Sequence, residues 1–430
     1  MKENKKIVAA LDIGSSKVLA VVAEVSKDGT FRVLGQGRSE SQAIHEGCIT
    51  NVEDALPSVN SALDEAFRIA GRPVSEVITN ISGKYLVGVD STASLPLKGR
   101  HPTLNEMQTV KAMAQDAVQK SDETFLIKSE LLYYMLDNQR DEQSEQNLLE
   151  AKGSNISAHL HSAVSSALNA SMRLKVIRRS GVEISSILPE AWASGYGALT
   201  EEERQNGVVL IDIGAGTTDI VVFKGGSPRF THTIAYGGKK ITERLAGYLH
   251  CSMKQAEEIK LRLDLNCLPE HKDVILYKAP LEEGGRKYSK YELSQIAAYE
   301  VLQLYNEIGR LLYKDGWYTL VSDAPKNRLP GGTVLTGGTA IMMGITELFS
   351  SVVPGPWRYT FSTRLGRSLY NGDACIGLNS PKETVVMGLI AYEAKRFSLG
   401  EDAEDTADTT DNSFLARAKR GMVEFFVGQY

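Results

Sequence analysis

Apolar and polar positions fall into short blocks along the chain, and two of those blocks are copies of one another. Residues 9–22 read AALDIGSSKVLAVV, and residues 209–222 read VLIDIGAGTTDIVV. At an offset of 200 residues Leu11 matches Ile211, Asp12 matches Asp212, Ile13–Gly14 match Ile213–Gly214, and Val21–Val22 match Val221–Val222. Each block is a β-rich apolar run broken by a short Gly/Ser/Thr turn, which predicts strand, tight turn, strand. Two copies of one hairpin predict two related α/β halves. A third block, TVLTGGTAIMMGITELF (333–349), predicts a strand ending in a Gly pair, then a helix carrying Ile341, Ile345 and Leu348 at helical spacing.

The pattern changes at the C-terminus. The stretch GEDAEDTADTTDN (400–412) holds six carboxylates and no aliphatic residue larger than Ala. It cannot bury enough surface to fold, so it reads as a tether. In SFLARAKRGMVEFFVGQY (413–430), Ser413 can cap a helix in which Phe414, Leu415, Ala418, Met422, Phe425, Phe426 and Gln429 fall at i, i+3/i+4 spacing. Arg417, Lys419, Arg420 and Glu424 lie mainly on the other side. Such a helix commonly docks on its own core. The tether and the basic polar face within an acidic protein favour a helix lying on a membrane surface instead. Gly421 weakens it by about 1 kcal/mol relative to Ala.

Composition narrows the field. At 430 residues, with 42% hydrophobic and 23% charged positions, the chain is ordinary globular material for several domains. A net charge of −5 supplies no overall basic field for nucleic acid. Cys48, Cys251, Cys267 and Cys375 form no C-x-x-C pair, so four buried thiols in a reducing cytoplasm are expected rather than disulfides or zinc. Lys2, Lys5 and Lys6 begin like a signal peptide, but Asp12 interrupts the apolar run. No stretch approaches the ~18 apolar residues of a transmembrane helix. A soluble intracellular protein is expected, apart from whatever lies on the bilayer surface.

The turns carry candidate chemistry. In the first, Gly14 lets backbone N–H groups approach a ligand, and Ser15, Ser16 and Lys17 add hydroxyls and a cation. In the second, Gly214, Gly216, Thr217 and Thr218 repeat the arrangement. Consecutive turn N–H groups form an anion-binding concavity. Asp12 and Asp212, at strand ends, can hold a hydrated Mg²⁺ that bridges phosphates. Gly337 and Gly338 would admit an α-phosphate or nucleoside against the backbone. Neither a G-x-x-x-x-G-K-[ST] loop nor a strand-to-helix G-x-G-x-x-G is present, which excludes the P-loop and leaves a Rossmann site unsupported.

Two phosphate hairpins followed by a VLTGG strand resemble the actin/Hsp70/sugar-kinase superfamily. The order of elements and the tail resemble, over essentially the whole chain, its FtsA branch of bacterial cell-division proteins. The resemblance implies an α/β, actin-like two-lobed fold with an inserted 1C subdomain and a C-terminal amphipathic helix. By analogy subdomain 1A would be residues 1–83 and 162–195, 1C 84–161, 2A 196–226 and 303–397, and 2B 227–302. A linker at 398–412 and the membrane-targeting helix at 413–430 would follow. LDIGSSKV and VVLIDIGAGTTDIVVF look like the two phosphate loops. Gly237–Gly238 resembles the following GG turn, and AEEIK (256–260) a helix whose Glu and Lys line the nucleoside pocket, here Glu257 and Lys260.

The implied ligands are ATP and Mg²⁺. The implied partners are the FtsZ tail at 2B, other copies of the chain in filaments, anionic lipids at the cytoplasmic face of the inner membrane, and further division proteins at the septum. The family's FtsZ-binding helix carries a Pro-Arg pair that ELSQIAAYEVLQLYNEI (292–308) lacks, and the basic turn Gly285-Arg286-Lys287 precedes that segment instead. In such folds a polar residue near the helix joining the halves orients the attacking water. In PEAWASGYGALT (189–200) the candidate is Glu190, which can equally be an exposed helix-start residue. Lys17 can stabilise developing phosphoryl charge or merely hold ground-state phosphate, so slow or absent ATP hydrolysis is expected. Two other readings fit the superfamily. One is a small-molecule kinase, which would need a carboxylate base over a substrate cleft. The other is the related adaptor of the type IV pilus machinery, which is not expected to carry this tail.

Overall fold

The computed structural model describes residues 5–118, 123–137, 139–140, 145–280, 285–317, 319–320, 329–350, 357–358, 363–370 and 377–400. The acidic tether beyond residue 400, the expected amphipathic helix and Cys375 lie outside the described residues.

The first half opens with β1 (Lys5–Ile13), β2 (Lys17–Ser26) and β3 (Phe31–Glu40), an antiparallel meander. The small ladder of β4 (Ile44–His45) and β5 (Cys48–Ile49) folds back under the first turn. Helix α1 (Val52–Ala70) follows, and β6 (Glu76–Ile81) returns parallel to β1. β1 and β2 are buried along most of their length, as expected of strands covered on both faces. One cover is α1, capped by the Asn51 side chain at its start and by left-handed Gly71 at its end. It lies directly on β3: a Cβ on Gly35 or Gly37 would fall 2.4 Å from the Ala66 carbonyl oxygen or 2.1 Å from that of Ala62.

The insert comprises β7 (Val87–Arg100), α2 (Leu104–Asp116), β8 (Thr124–Leu136), β9 (Gln139–Arg140), α3 (Glu145–Glu150) and β10 (Gly153–Ser166). Leu97, Met107, Val110, Tyr134, Ile156 and Leu160 give it a core of its own. The chain then re-enters the first half through α4 (Ala167–Arg179) and β11 (Glu183–Pro189), which pairs parallel to β6. The first sheet thus has the order β11-β6-β1-β2-β3.

Helices α5 (Glu190–Ala198) and α6 (Glu201–Asn206) lead into the second half. There β12 (Val208–Ile213), β13 (Thr218–Lys224) and β14 (Ser227–Ile234) repeat the meander. Helices α7 (Gly238–Leu249) and α8 (Met253–Lys260) follow, then the ladder of β15 (Ile275–Lys278) and β16 (Lys287–Ser289), then α9 (Lys290–Lys314). β17 (Thr319–Leu320) pairs with β19 (Trp357–Arg358). β18 (Thr333–Thr336) runs parallel to β12, α10 (Ile345–Ser350) follows it, and β20 (Thr363–Leu365) runs parallel to β18. The order β20-β18-β12-β13-β14 reproduces that of the first sheet, so the duplicated hairpin reports a duplicated half. The sheet continues through β14 into β7-β10-β8-β9 of the insert, joined by the pair His232↔Val87.

The last helix, α11 (Thr384–Leu399), returns to the first half and packs Val386, Leu389 and Ile390 beneath its sheet. It crosses α5 with backbones in contact: a Cβ on Gly388 would lie 1.7 Å from the Ala193 carbonyl oxygen. Three elements, β10, α5 and α9, run across the expected boundaries at 161/162, 195/196 and 302/303.

Two expectations are corrected. The helix after the VLTGG strand starts only at Ile345. Turns fill residues 337–344 between left-handed Gly337 and Gly344, and Ile341 is exposed. The main chain there is diverted because the Met343 carbonyl accepts from Leu265 N. Cys267 is buried, but Cys48 and Cys251 are only half-buried; all three are free thiols.

Candidate functional site

The two predicted turns are superimposable in their bonding. Ile13 pairs with Val18 and the Gly14 N–H donates to the Lys17 carbonyl at 2.9 Å. Ile213 pairs with Thr218 and the Gly214 N–H donates to the Thr217 carbonyl at 2.9 Å. Their tips meet across the seam between the halves. A Cβ on Gly216 would fall 2.6 Å from Ser15 Oγ, so only glycine fits there. Ser15 Oγ accepts from Gly47 N at 3.1 Å, and its carbonyl accepts from Lys239 Nζ at 2.9 Å. Ser16 is exposed at the tip. Thr218 is turned inward, its hydroxyl donating to the Tyr236 carbonyl at 2.7 Å. Lys17 already has partners: its ammonium donates to the Lys382 carbonyl and lies 3.4 Å from Glu383 Oε1.

Behind the tips lie four buried carboxylates, Asp12, Asp212, Asp219 and Glu190. Glu190 is therefore not an exposed helix-start residue. Asn80 Nδ2 donates to both Asp12 Oδ1 (3.0 Å) and Glu190 Oε2 (2.9 Å), which joins the first strand to the start of α5. Ser194 Oγ donates to Asp212. Asp219 accepts from Ser82 Oγ (2.8 Å) and Thr233 Oγ1 (2.7 Å). Burial pushes all four carboxyls above their usual range, Asp212 to about 7 and Asp219 to about 6. Mutual repulsion adds to the rise at Glu190 and Asp212, whereas Lys17 pulls Asp12 and Asp212 back down. Arg173, fully buried, donates to the carbonyls of Ile13, Asn80 and Gly47 and so stitches β1, β6 and the β4–β5 ladder together.

The expected nucleoside residues also gather. Lys260 Nζ donates to the Gly238 carbonyl (3.1 Å) and Thr242 Oγ1 (3.0 Å), and pairs with Glu257 at 2.7 Å. Burial lowers the Lys260 pKa, and Glu257 opposes that shift. A Cβ on Gly237 would meet the Ala215 backbone at 2.7 Å, and one on Gly238 would meet Thr339 Oγ1 at 2.3 Å. Gly337, at φ +91°, sits where a Cβ would fall 2.3 Å from Asp212 Oδ1, whereas Gly338 faces open space apart from the Lys382 stem. The membrane candidates Phe414, Leu415, Arg417, Lys419, Arg420, Met422, Phe425 and Phe426 lie outside the described residues.

Sequence reasoning missed Asn80, Arg173, Ser194, Asp219, Thr339 and Glu383. Only Asp219 carried a signal: its partner at the same offset in the first half is Leu19, so the repeat departs there from apolar to acidic.

A duplicated α/β fold, with a hairpin turn of each half facing the other above two crossing helices, is that of the actin-like class. The PilM–PilN type IV pilus biogenesis complex aligns with a TM-score of 0.61 at 17% identity, covering 91% of this chain and 98% of that one. The ADP-bound MreB5 of Spiroplasma citri aligns at 0.52 and 16% identity, covering 92% and 98%. A family model described as cell division protein FtsA matches residues 209–388. The Pseudomonas aeruginosa cell division protein FtsA is 32% identical over 359 residues, 83% of each chain. That of Escherichia coli K12 is 28% identical over 421 residues, 96% of this chain and 97% of its own. The chain belongs to the FtsA family of cell-division proteins.

Proposed function

We propose that the protein binds ATP with Mg²⁺ in the seam between its halves and acts as a polymerising adaptor of the division machinery. The observation that carries the nucleotide reading is the meeting of the two turns above four buried carboxylates. The glycines support it by bringing the parts together: no Cβ has room at Gly216, Gly237 or Gly337, which lets the two turns, the start of α7 and the end of β18 pack on one another around the carboxylates. Among the described residues no three acidic, His or Cys side chains converge to ligate an ion directly. Asp12 and Asp212 would therefore hold Mg²⁺ through its waters, and the cation would favour the charged forms that burial disfavours. Lys17, the turn N–H groups and Thr217 would bind phosphate. Gly238, Glu257, Lys260 and Thr339 would line the nucleoside side. Glu190, oriented by Asn80, would position water for a slow hydrolysis or none. The ADP in the MreB5 structure supports the same use of this fold.

Family membership supports FtsZ as partner, with contacts in residues 227–302, and the 1A/1C/2A/2B division is proposed with it. Among the described residues no helix is long and apolar enough to cross a membrane. Residues 413–430 would supply the attachment, with Phe425 and Phe426 inserted and Arg417, Lys419 and Arg420 toward anionic headgroups. A single tail binds reversibly, and an array of tails on a filament binds much more tightly. Calorimetry tests the nucleotide reading. Asp212→Asn and Gly337→Val should each lower ATP affinity at least tenfold, and unchanged affinity in both would overturn it.

A further inference from the structure

Glu383 is buried and stands at the N-cap of α11, yet its side chain makes no cap hydrogen bond. Short side chains such as Ser, Thr, Asp and Asn cap from that position, and the longer Glu is free to reach past the first turn. Here the carboxylate is engaged elsewhere. One oxygen accepts from Ser380 Oγ, and the other faces two cations, Lys17 Nζ at 3.4 Å and Arg38 Nη1 at 3.7 Å. Lys17 comes from the first phosphate turn and is largely buried, whereas Arg38, on β3, is mostly exposed. The segment holding Glu383 is tied to the third motif as well, because the Pro381 carbonyl accepts from Gly337 N at 3.0 Å.

We propose that Glu383 is a latch on nucleotide binding, which competes with phosphate for Lys17. The inference rests on the proposed ATP site. Without nucleotide, the Lys17 ammonium is held by Glu383 and the Lys382 carbonyl. A polyphosphate in the turn would offer the ammonium more negative charge than one carboxylate, and the flexible four-carbon stem of Lys17 lets it swing between the two. Stripping one buried carboxylate of its cation would be costly, but Arg38 already stands beside it and keeps Glu383 paired when Lys17 leaves. The exchange frees the first turn from the start of α11, the helix that crosses α5. Glu383 is thus a positioning residue: it sets where Lys17 spends its charge, without touching ligand.

The test is calorimetric titration of the full chain with Mg·ATP and, separately, with adenosine. Wild type, Glu383→Gln, Arg38→Ala, Lys17→Ala and Lys17→Ala/Glu383→Gln are compared, with melting temperatures in parallel. Glu383→Gln removes the charge while keeping the side chain's shape and one acceptor oxygen. It should bind ATP roughly fivefold tighter, the worth of one modest ion pair, with adenosine unchanged. The gain should vanish in the Lys17→Ala background, and Arg38→Ala should weaken ATP alone. Equal or weaker ATP binding by a folded Glu383→Gln overturns the latch. Should that variant melt early, Arg38→Ala, a change at an exposed side chain, decides: unaltered ATP affinity there also overturns it. Failure of the wild type to bind ATP would instead remove the nucleotide reading on which the latch stands.

Discussion

Thr231 shows how much a single hydroxyl can carry. Trp192 Nε1 donates to Thr231 Oγ1 at 2.8 Å, and the same oxygen lies 2.9 Å from His161 Nε2. Because the Asp90 carboxylate only accepts, His161 Nδ1–H donates to it at 2.6 Å, and in the neutral ring Nε2 is then the acceptor for the Thr231 proton. Thr231→Val strands two buried groups and should cost on the order of 2–3 kcal/mol in denaturant unfolding, with Thr231→Ser close to wild type. The carboxylates give a second expectation. Asp212 is raised from 3.8 to about 7 in the fold, so the folded state holds a proton that the unfolded chain has lost between those values. Stability from this group is complete below about pH 4 and is lost as pH rises through about 7. Metal- and nucleotide-free protein should melt higher at pH 5.5 than at pH 7.5. Asp212→Asn should raise the pH 7.5 value and narrow the difference.

Among elements, the hairpins were legible because the residues that turn the chain are also those that would bind ligand, so two signals coincide at Asp12–Lys17 and Asp212–Thr218. The helix after VLTGG starts later than its apolar spacing predicts. Its apolar spacing begins at Ile341, but left-handed Gly344 and the Leu265–Met343 hydrogen bond hold residues 337–344 in turns. Asn80 and Arg173 were invisible for a different reason. Asn80 is one of three polar residues in β6 and Arg173 one of four cations in α4, and the role of each arises only when β1, β6 and α4 come together. The same holds for Gly388, an ordinary helix glycine in sequence. Gly388→Ala would force α11 off α5 and should destabilise by about 3 kcal/mol or more, visible as a lower melting temperature and poorer soluble yield.

At the scale of the whole molecule, the 200-residue repeat announced the two halves, but nothing in it announced that the insert joins the sheet of the second. That union depends on the pairing of Val87 with a residue 145 positions away, His232, which no local pattern encodes. The attachment of residues 413–430 gives the corresponding prediction. Deleting them should release the protein from anionic vesicles in co-sedimentation while leaving its melting temperature unchanged. Charge reversal at Arg417, Lys419 and Arg420 should weaken binding chiefly to anionic lipid, with a smaller effect at high salt. A truncated chain that melts markedly lower and still pellets would place that helix in the folded core.

The insert enters and leaves through the first half, yet its backbone hydrogen-bonds to the second. It is a beam bolted to one plate and resting on the other. Its long members, β7 and β10, are 14 residues each, or about 45 Å at ~3.3 Å per residue. Over that length a tilt of roughly five degrees at the root carries the tip about 4 Å sideways, a displacement on the order of one strand spacing. Small changes of angle between the plates are thereby geared up into steps large enough for a neighbouring molecule to feel at the far end.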